Sequence, residues 1–379
     1  MTRVVVGTRG SSAVPGFAGS TWVRLQYMLG FARLGIEACW VDRIDAIDPY
    51  AYPHSLDYLH LRFDRMARAF GFEDRYCIVV GDGARHLGMS REALERLASE
   101  AELLVNVSGH LPADSPLNGI PRRAYVDVDP GFTQIWALRW PEQLARHNHF
   151  FTVGQNVGRA DFRIPIGEVA WTPMLPPVVL EQWPAHIDER AKRFTTVADW
   201  RASQFAEHDG QRYGGKRSEF ERFIDLPRLS GQPVHLAMAV YQRDHDDLAM
   251  LLRHDWRVVD PFESAGDPES YREFIRYSRA EFSVAKHGYV LSNSGWISDR
   301  TACYLASGKP AIVQSTGFES ALPVGQGLLA YSTVSEAAAA VAAVNGDYLA
   351  HCEAARELAA RHFDSDRVLG AMLDRVGMS

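Results

Sequence analysis

The chain has 379 residues, more than one hydrophobic core usually serves, so two domains are expected. Its composition is 46% hydrophobic and 23% charged, which is typical of a soluble globular protein with enough apolar material for two cores. The net charge of -7 argues against a protein that neutralises nucleic-acid phosphates, so no nucleic-acid partner is expected.

The cysteines are widely separated and lack metal-ligand spacing, which favours buried free thiols in a reducing compartment: Cys39, Cys77, Cys303 and Cys352. No signal-peptide pattern precedes the first strand, and no apolar run reaches the roughly 18 residues of a membrane span. We therefore expect a cytoplasmic protein with no membrane span.

The first part of the chain alternates short apolar runs with helical patterns. A strand at 3–7, a glycine-rich loop at 8–19, a helix at 21–34 and a strand at 36–41 form a β-loop-α-β opening. Such an opening predicts parallel strands in a doubly wound sheet. Further strands are predicted at 76–81, 103–107, 124–128 and 150–153, with a helix at 91–101.

A proline-rich segment at 164–184 interrupts this alternation: Pro165, Pro173, Pro176, Pro177 and Pro184. Proline at this density disfavours both helices and central strands, so the segment is interpreted as an interdomain linker. The predicted organisation is a first domain at 1–163, a linker at 164–187 and a second domain at 188–379.

The alternation resumes after the linker. Strands are predicted at 194–198, 235–240, 256–259, 281–285, 310–314 and 328–331, with helices around 218–225 and near Leu248 and Tyr271. Closing helices are predicted at 334–344 and 348–362, and the last of these is a candidate to cross back to the first domain. The predicted fold class is α/β, with two Rossmann-like doubly wound domains facing a cleft.

The segment 285–317 has the layout of a phosphate-binding strand–helix–strand unit. Ser294, Gly295 and Ser298 come just before the predicted helix, where free backbone N–H groups and the positive end of the helix dipole attract an anion. Gly308 then ends the helix, with Pro310 soon after it.

This segment resembles the donor-binding segment of GT-B glycosyltransferases of the group 1 type, whose helix closes with a stop like 306–310, ASGKP. The resemblance implies a nucleotide sugar as co-substrate on this helix, with no other cofactor. Cys303 and Gly295 stand where those enzymes carry two glutamates, so retaining chemistry is not implied. Asp299, one turn before Cys303, either takes over the ribose contact or simply caps the helix.

Five cationic or titratable groups are candidates to neutralise the diphosphate: Arg201, Lys216, Lys286, His287 and Arg300. Lys286 follows a strand at its carboxyl end, where ligands of such sheets bind. The resemblance places Arg201 and Lys216 in the loop that often carries the diphosphate-binding Arg or Lys of GT-B relatives. The alternative is that all five are solvated surface charges.

Asp127 and Asp129 close a strand of the first domain. Alternation along the strand would direct both carboxylates to one face, where they could bind a divalent cation. Metal-dependent glycosyltransferases of the GT-A type have a single sheet. This chain has two predicted sheets, so we expect no metal. Asp129 is instead the preferred general base for the acceptor hydroxyl, with His110, at the exit of another strand, as its rival.

The glycine-rich loop of the first domain is the last cleft candidate, through Gly10, Ser11 and Gly19. Together these features predict a metal-independent glycosyltransferase that moves a sugar from a nucleotide-sugar donor to a small-molecule or glycan acceptor. The alternatives are a nucleotide-sugar 2-epimerase on the same fold and an inert sugar-nucleotide or polysaccharide-binding protein.

Overall fold

The computed structural model describes residues 2–9, 18–44, 55–81, 83, 85–109, 111–200, 205–240 and 244–378. The strands of the first half form one eight-stranded sheet in the order β4-β3-β2-β1-β5-β6-β7-β8. All neighbours pair in parallel except β3 and β4. The strands are β1 (Arg3–Arg9), β2 (Glu37–Ile44), β3 (Tyr76–Val80), β4 (Arg85–Gly88), β5 (Leu103–Val107), β6 (Arg122–Asp127), β7 (His149–Thr152) and β8 (Thr172–Pro173).

The second half contains a parallel six-stranded sheet in the order β13-β12-β9-β14-β15-β16 and a short antiparallel hairpin, β10-β11. Its strands are β9 (Phe194–Asp199), β10 (Ala206–His208), β11 (Gln211–Tyr213), β12 (Val234–Ala239), β13 (Arg257–Val259), β14 (Ala280–Ser283), β15 (Ala311–Gln314) and β16 (Leu328–Tyr331). In each sheet the order reverses beside the first strand, between β1 and β5 and between β9 and β14. Doubly wound sheets bind ligands beyond the carboxyl ends of strands at such a reversal.

Helices connect the strands and cover the sheets. The described α-helices are α1 (Ala18–Arg33), α2 (Leu56–Ala69), α3 (Arg91–Glu100), α4 (Phe132–Arg139), α5 (Glu142–Ala145), α6 (Arg217–Arg222), α7 (Leu226–Ser230), α8 (His245–Arg253), α9 (Pro261–Ala265), α10 (Pro268–Arg276), α11 (His287–Ser292), α12 (Asp299–Ala306), α13 (Val334–Gly346), α14 (Tyr348–Leu358) and α15 (Ser365–Arg375). The predicted α/β class with two Rossmann-like sheets is confirmed.

Side chains that alternate along β1 build two separate cores. Val4 and Val6 pack on the face that carries α1 and α2, whereas Val5 packs on the opposite face with Leu94 of α3. All three valines are fully buried. Because both faces of the parallel sheet are covered, its strands consist of nearly continuous apolar residues.

The predicted linker contributes to the first sheet. β8 includes Pro173 and pairs only with β7, at the edge of the sheet, where the missing N–H of proline costs no ladder bond. The limits of the two domains stay a prediction.

The helix that returns to the first half is α15, which lies beyond the predicted closing helix. The predicted segment 348–362 instead forms α14 and a π-helical turn, and α14 packs against the second half through Cys352. α15 packs on α1, where a Cβ added at Gly30 would lie 2.5 Å from Leu369 Cδ1. None of the described helices has the length and apolar composition to cross a membrane.

Candidate functional site

The loop after β6 and the start of α11 meet where the two halves face each other. Lys286 Nζ donates to Asp129 Oδ1 at 2.5 Å, and the Tyr289 hydroxyl donates to the same oxygen. The Lys286 ammonium also lies over the Phe132 ring, 5.5 Å from its centroid. An expected base from the first half and an expected phosphate ligand from the second are thus brought together.

The close contact between the two halves at this point depends on two glycines. A Cβ at Gly131, whose φ is +92°, would lie 2.8 Å from Ser292 Oγ, and a Cβ at Gly288 would lie 2.4 Å from Phe132 Cζ. Ser292 fills the space beside Gly131, so this glycine permits contact between the two halves.

Asp127 is a structural carboxylate. It is fully buried and accepts hydrogen bonds from Thr133 Oγ1 at 2.6 Å, Thr152 Oγ1 at 2.8 Å and Gln134 Nε2 at 3.0 Å. Burial raises its pKa, while these donors act in the opposite direction. β6 ends at Asp127, so strand alternation does not extend to Asp129. Among the described residues, no three His, Cys, Asp or Glu side chains are grouped as metal ligands.

Lys216 is a buried cation at the carboxyl end of the second sheet. Its ammonium donates to the Val284 carbonyl at 2.5 Å and lies 5.6 Å from the centre of the Trp296 ring. Burial, together with the positive charges of Arg300 and Lys286, holds the pKa of Lys216 well below its ordinary value. A bound anion would relieve this repulsion.

Arg300 is committed to internal contacts. Its Nε donates to Glu281 Oε1 at 2.6 Å, and its other two nitrogens donate to the Val197 carbonyl at 2.7 Å and to Ser283 Oγ at 2.6 Å. We expected a cation that contacts the donor. Arg300 instead joins α12 to β9 and β14, and contributes positive potential at Lys216.

The expected anion-binding residues before α12 have structural roles. Ser294 is buried and donates to the Tyr289 carbonyl at 3.2 Å, and the backbone N–H of Gly295 donates to the Thr316 carbonyl at 2.7 Å. The Gly295 carbonyl accepts from the Gln155 N–H of the first half, at 3.2 Å. Ser298 caps the helix by accepting from Arg300 N. Ser294 and Gly295 therefore hold the two halves together and do not form the helix start.

The α12 face that carries Cys303 is covered by α1. Gln26 Nε2 of α1 donates to Cys303 Sγ at 3.8 Å, and both side chains are buried. The resemblance would place a ribose-binding glutamate at the position of Cys303. In this chain α1 covers that side chain. Asp299 is the first residue of α12, where burial raises the pKa of its carboxyl group.

His287 and Glu219 form a pair that the sequence did not predict. His287 Nδ1 lies 2.7 Å from Glu219 Oε1, and the buried carboxylate also accepts from Arg222 at 2.6 Å and from Gln314 at 2.5 Å. These three donors lower the pKa of Glu219 in spite of its burial. The sequence predicts His287 only as one of five candidate groups for the diphosphate, and nothing in the spacing points to Glu219.

Gly19 lies within the first turn of α1, one turn earlier than the predicted helix start. A Cβ there would lie 3.4 Å from Tyr271 Cε2, so Gly19 serves helix packing and is not part of a loop. The remaining predicted site residues lie outside the described part of the chain: Gly10, Ser11, His110 and Arg201.

Several solved structures are similar over almost the whole chain. An alpha-glucosyltransferase in complex with UDP has a TM-score of 0.62 and 11% identity, covering 99% of this chain and 100% of its own. HepE from Anabaena, in complex with UDP and glucose, has a TM-score of 0.61 and 11% identity, with the same coverage. An alpha-glucosyltransferase in complex with UDP-glucose and DNA containing an abasic site has a TM-score of 0.60 and 11% identity, covering 99% of each chain.

No protein-family model and no curated protein sequence matches the chain. At this level of identity the structural likeness establishes the fold, so the chain has the GT-B architecture that its two sheets indicate.

Proposed function

We propose that the chain is a glycosyltransferase that moves a sugar from a nucleotide-sugar donor to an acceptor hydroxyl without a metal ion. The observation that carries this proposal is Lys216 at the carboxyl end of the second sheet, whose charge is destabilised by burial and by the positive charges of Arg300 and Lys286. Cations close together beside a ligand crevice are suited to a diphosphate leaving group. The similar structures that contain UDP or UDP-glucose support a nucleotide sugar as the donor.

Lys216 and Lys286 would neutralise the charge that develops on the diphosphate as the sugar leaves. Asp129 would accept the proton of the acceptor hydroxyl, with His110 as the alternative base. In the structure Lys286 and Tyr289 hold the Asp129 carboxylate. A diphosphate that attracts Lys286 would weaken this hold and make Asp129 more basic.

We propose a small molecule or a glycan as the acceptor. The net charge of -7 supports this choice, although similar alpha-glucosyltransferase structures contain DNA. Asp127 is held by donors within the first half, which supports transfer that needs no metal bound by the pair Asp127 and Asp129.

The first test is calorimetry with UDP, GDP, dTDP and ADP in EDTA. At least one nucleotide should bind, and Lys216→Met should weaken it by about tenfold or more, the usual effect of losing a hydrogen bond to a charged group. Lys192→Met, which removes an exposed lysine of the same half, is the matched control. Failure of every nucleotide to bind would contradict the proposal.

The second test measures nucleotide release from the matching nucleotide sugar, with and without candidate acceptors. Release that depends on an acceptor and persists in EDTA is expected. Binding without release would indicate an inert binder, and loss of turnover in EDTA with recovery in Mg²⁺ would contradict metal independence.

A further inference from the structure

Arg24 of α1 is a buried arginine with an incomplete set of hydrogen bonds. Its side chain is only 7% exposed. One terminal nitrogen donates to the Ser20 carbonyl at 3.0 Å and to Ser20 Oγ. The buried Nε has no hydrogen-bond partner. A buried donor of a charged group that lacks a partner is costly, so a ligand that accepts this bond would be stabilised.

Arg24 lies where the two halves meet. Two residues further along α1, Gln26 contacts Cys303 in the middle of α12, so α1 packs against a helix of the second half. The carboxylates of Asp42, Asp129 and Asp299 are close enough to act on the Arg24 charge. Asp42 belongs to the first half, where it accepts from Thr8 Oγ1 at 2.9 Å, and Asp299 belongs to the second.

This mixture of charges favours hydroxyl groups over phosphate. A phosphate only accepts hydrogen bonds at neutral pH, and three neighbouring carboxylates would repel it. A sugar hydroxyl both accepts and donates, so it can bind an arginine and a carboxylate at once. The cations that suit a diphosphate, Lys216 and Lys286, form a different group, which Asp129 contacts through Lys286.

We propose that Arg24 and Asp299, one from each half of the chain, bind hydroxyl groups of the transferred sugar beside Asp129. This inference rests on the proposed function and deepens it, because it separates a sugar subsite from the diphosphate subsite. Since the two residues come from different halves, the sugar would contribute to holding the halves together.

The test compares the dissociation constants of a free nucleoside diphosphate and its glucose conjugate, using whichever of UDP, GDP, dTDP and ADP binds most tightly. Arg24→Met should weaken the conjugate by about tenfold or more and leave the free diphosphate within about twofold, because only the conjugate loses a charged hydrogen bond. Arg43→Met is the matched control, since Arg43 lies on β2 beside Asp42 and is likewise largely buried, at 20% exposure.

Asp299→Asn is the second variant. It preserves side-chain volume and should also weaken binding of the glucose conjugate more than binding of the free diphosphate. Retained binding of the free diphosphate shows that each variant is folded. An unchanged ratio in both variants, or an equal loss for both ligands, would overturn the sugar subsite while leaving the proposed function standing. A wild-type protein that binds none of the nucleotides would overturn the proposed function itself.

Discussion

Asp129 and Lys286 are 157 positions apart in the chain and form an ion pair with 2.5 Å between carboxylate oxygen and ammonium nitrogen. Asp129 follows β6 of the first sheet and Lys286 follows β14 of the second. Both side chains are largely buried, at 20% and 14% exposure, so solvent screens the pair less than it would at the surface. The ion pair therefore links the carboxyl ends of the two sheets directly.

Replacement of Asp129 should affect turnover more than donor binding. We expect Asp129→Asn to lower kcat by roughly 10² to 10⁴ without weakening nucleotide binding, since a general base acts in the transition state and the Asp129 ion pair with Lys286 competes with the diphosphate. Asp161→Asn is the control, because Asp161 also meets the second half, through Asn293 Nδ2 at 3.1 Å. Near-normal turnover of Asp129→Asn would leave the base to be sought elsewhere, with His110 as the next candidate.

Nucleotide binding should be coupled to proton uptake by Lys216. The folded protein holds the pKa of Lys216 well below 10.5, and a bound diphosphate would raise it. Between these two values the complex binds more protons than the free protein, so affinity falls as pH rises through that window. Calorimetry in buffers of different ionisation enthalpy measures this uptake, which Lys216→Met should abolish. Equal proton uptake by that variant and the wild type would refute the assignment.

The protein should become more stable as pH rises, because the buried Lys309 then loses its charge. Its ammonium is fully buried with no hydrogen-bond partner, and burial lowers its pKa to about 8, against 10.5 for an ordinary lysine. From about pH 8 to 10.5 the unfolded chain binds more protons than the folded one, so the free energy of unfolding increases with pH.

Lys309→Met should therefore raise the free energy of unfolding at pH 7, by about 3 kcal/mol at roughly 1.4 kcal/mol per pKa unit, and should flatten the pH dependence. Urea unfolding at several pH values measures both effects, with the exposed Lys192→Met as the reference. A destabilised Lys309→Met protein would indicate that the lysine contributes packing or bonds that outweigh its buried charge.

A glutamate at Cys303 should destabilise the chain. Cys303 is buried against Gln26, one turn after Asp299, so the new carboxylate would be buried beside a like charge. We expect Cys303→Glu to lower the free energy of unfolding by at least about 3 kcal/mol, whereas Cys303→Ala should have a much smaller effect. A Cys303→Glu protein of normal stability that bound nucleotide more tightly would show that ribose reaches this face of α12.

The central strands were predictable because they are buried on both faces. The predicted range 103–107 coincides with β5, which lies between β1 and β6 and is buried at every residue. Such strands are continuous apolar runs, which single-sequence patterns detect well.

The edge strands of the first sheet, β4 and β8, were not predictable in this way. β4 begins with exposed Arg85 and pairs antiparallel, and β8 ends in Pro173. Charged residues and proline are usual at sheet edges because they prevent pairing with another chain, and they remove the apolar pattern that would identify a strand.

At the site, the sequence identified the strand ends but not the pairings across the molecule. Lys286 and Asp129 follow the ends of strands, as predicted. That Arg300 would be bound by Glu281, and that Gln26 would cover Cys303, depends on contacts between residues 19 and 277 positions apart. Spacing within one segment carries no information on such contacts.

The packing of α15 on α1 determines when the first half can complete its fold during synthesis. Gly30 lies against Leu369, so the outer surface of α1 stays uncovered until nearly the whole second half has emerged from the ribosome. Domains usually fold as units in the order of synthesis, but here α1 cannot be fully covered before α15 has been synthesised. Nascent chains arrested before residue 365 should therefore expose apolar surface and depend on chaperones more than the finished protein does.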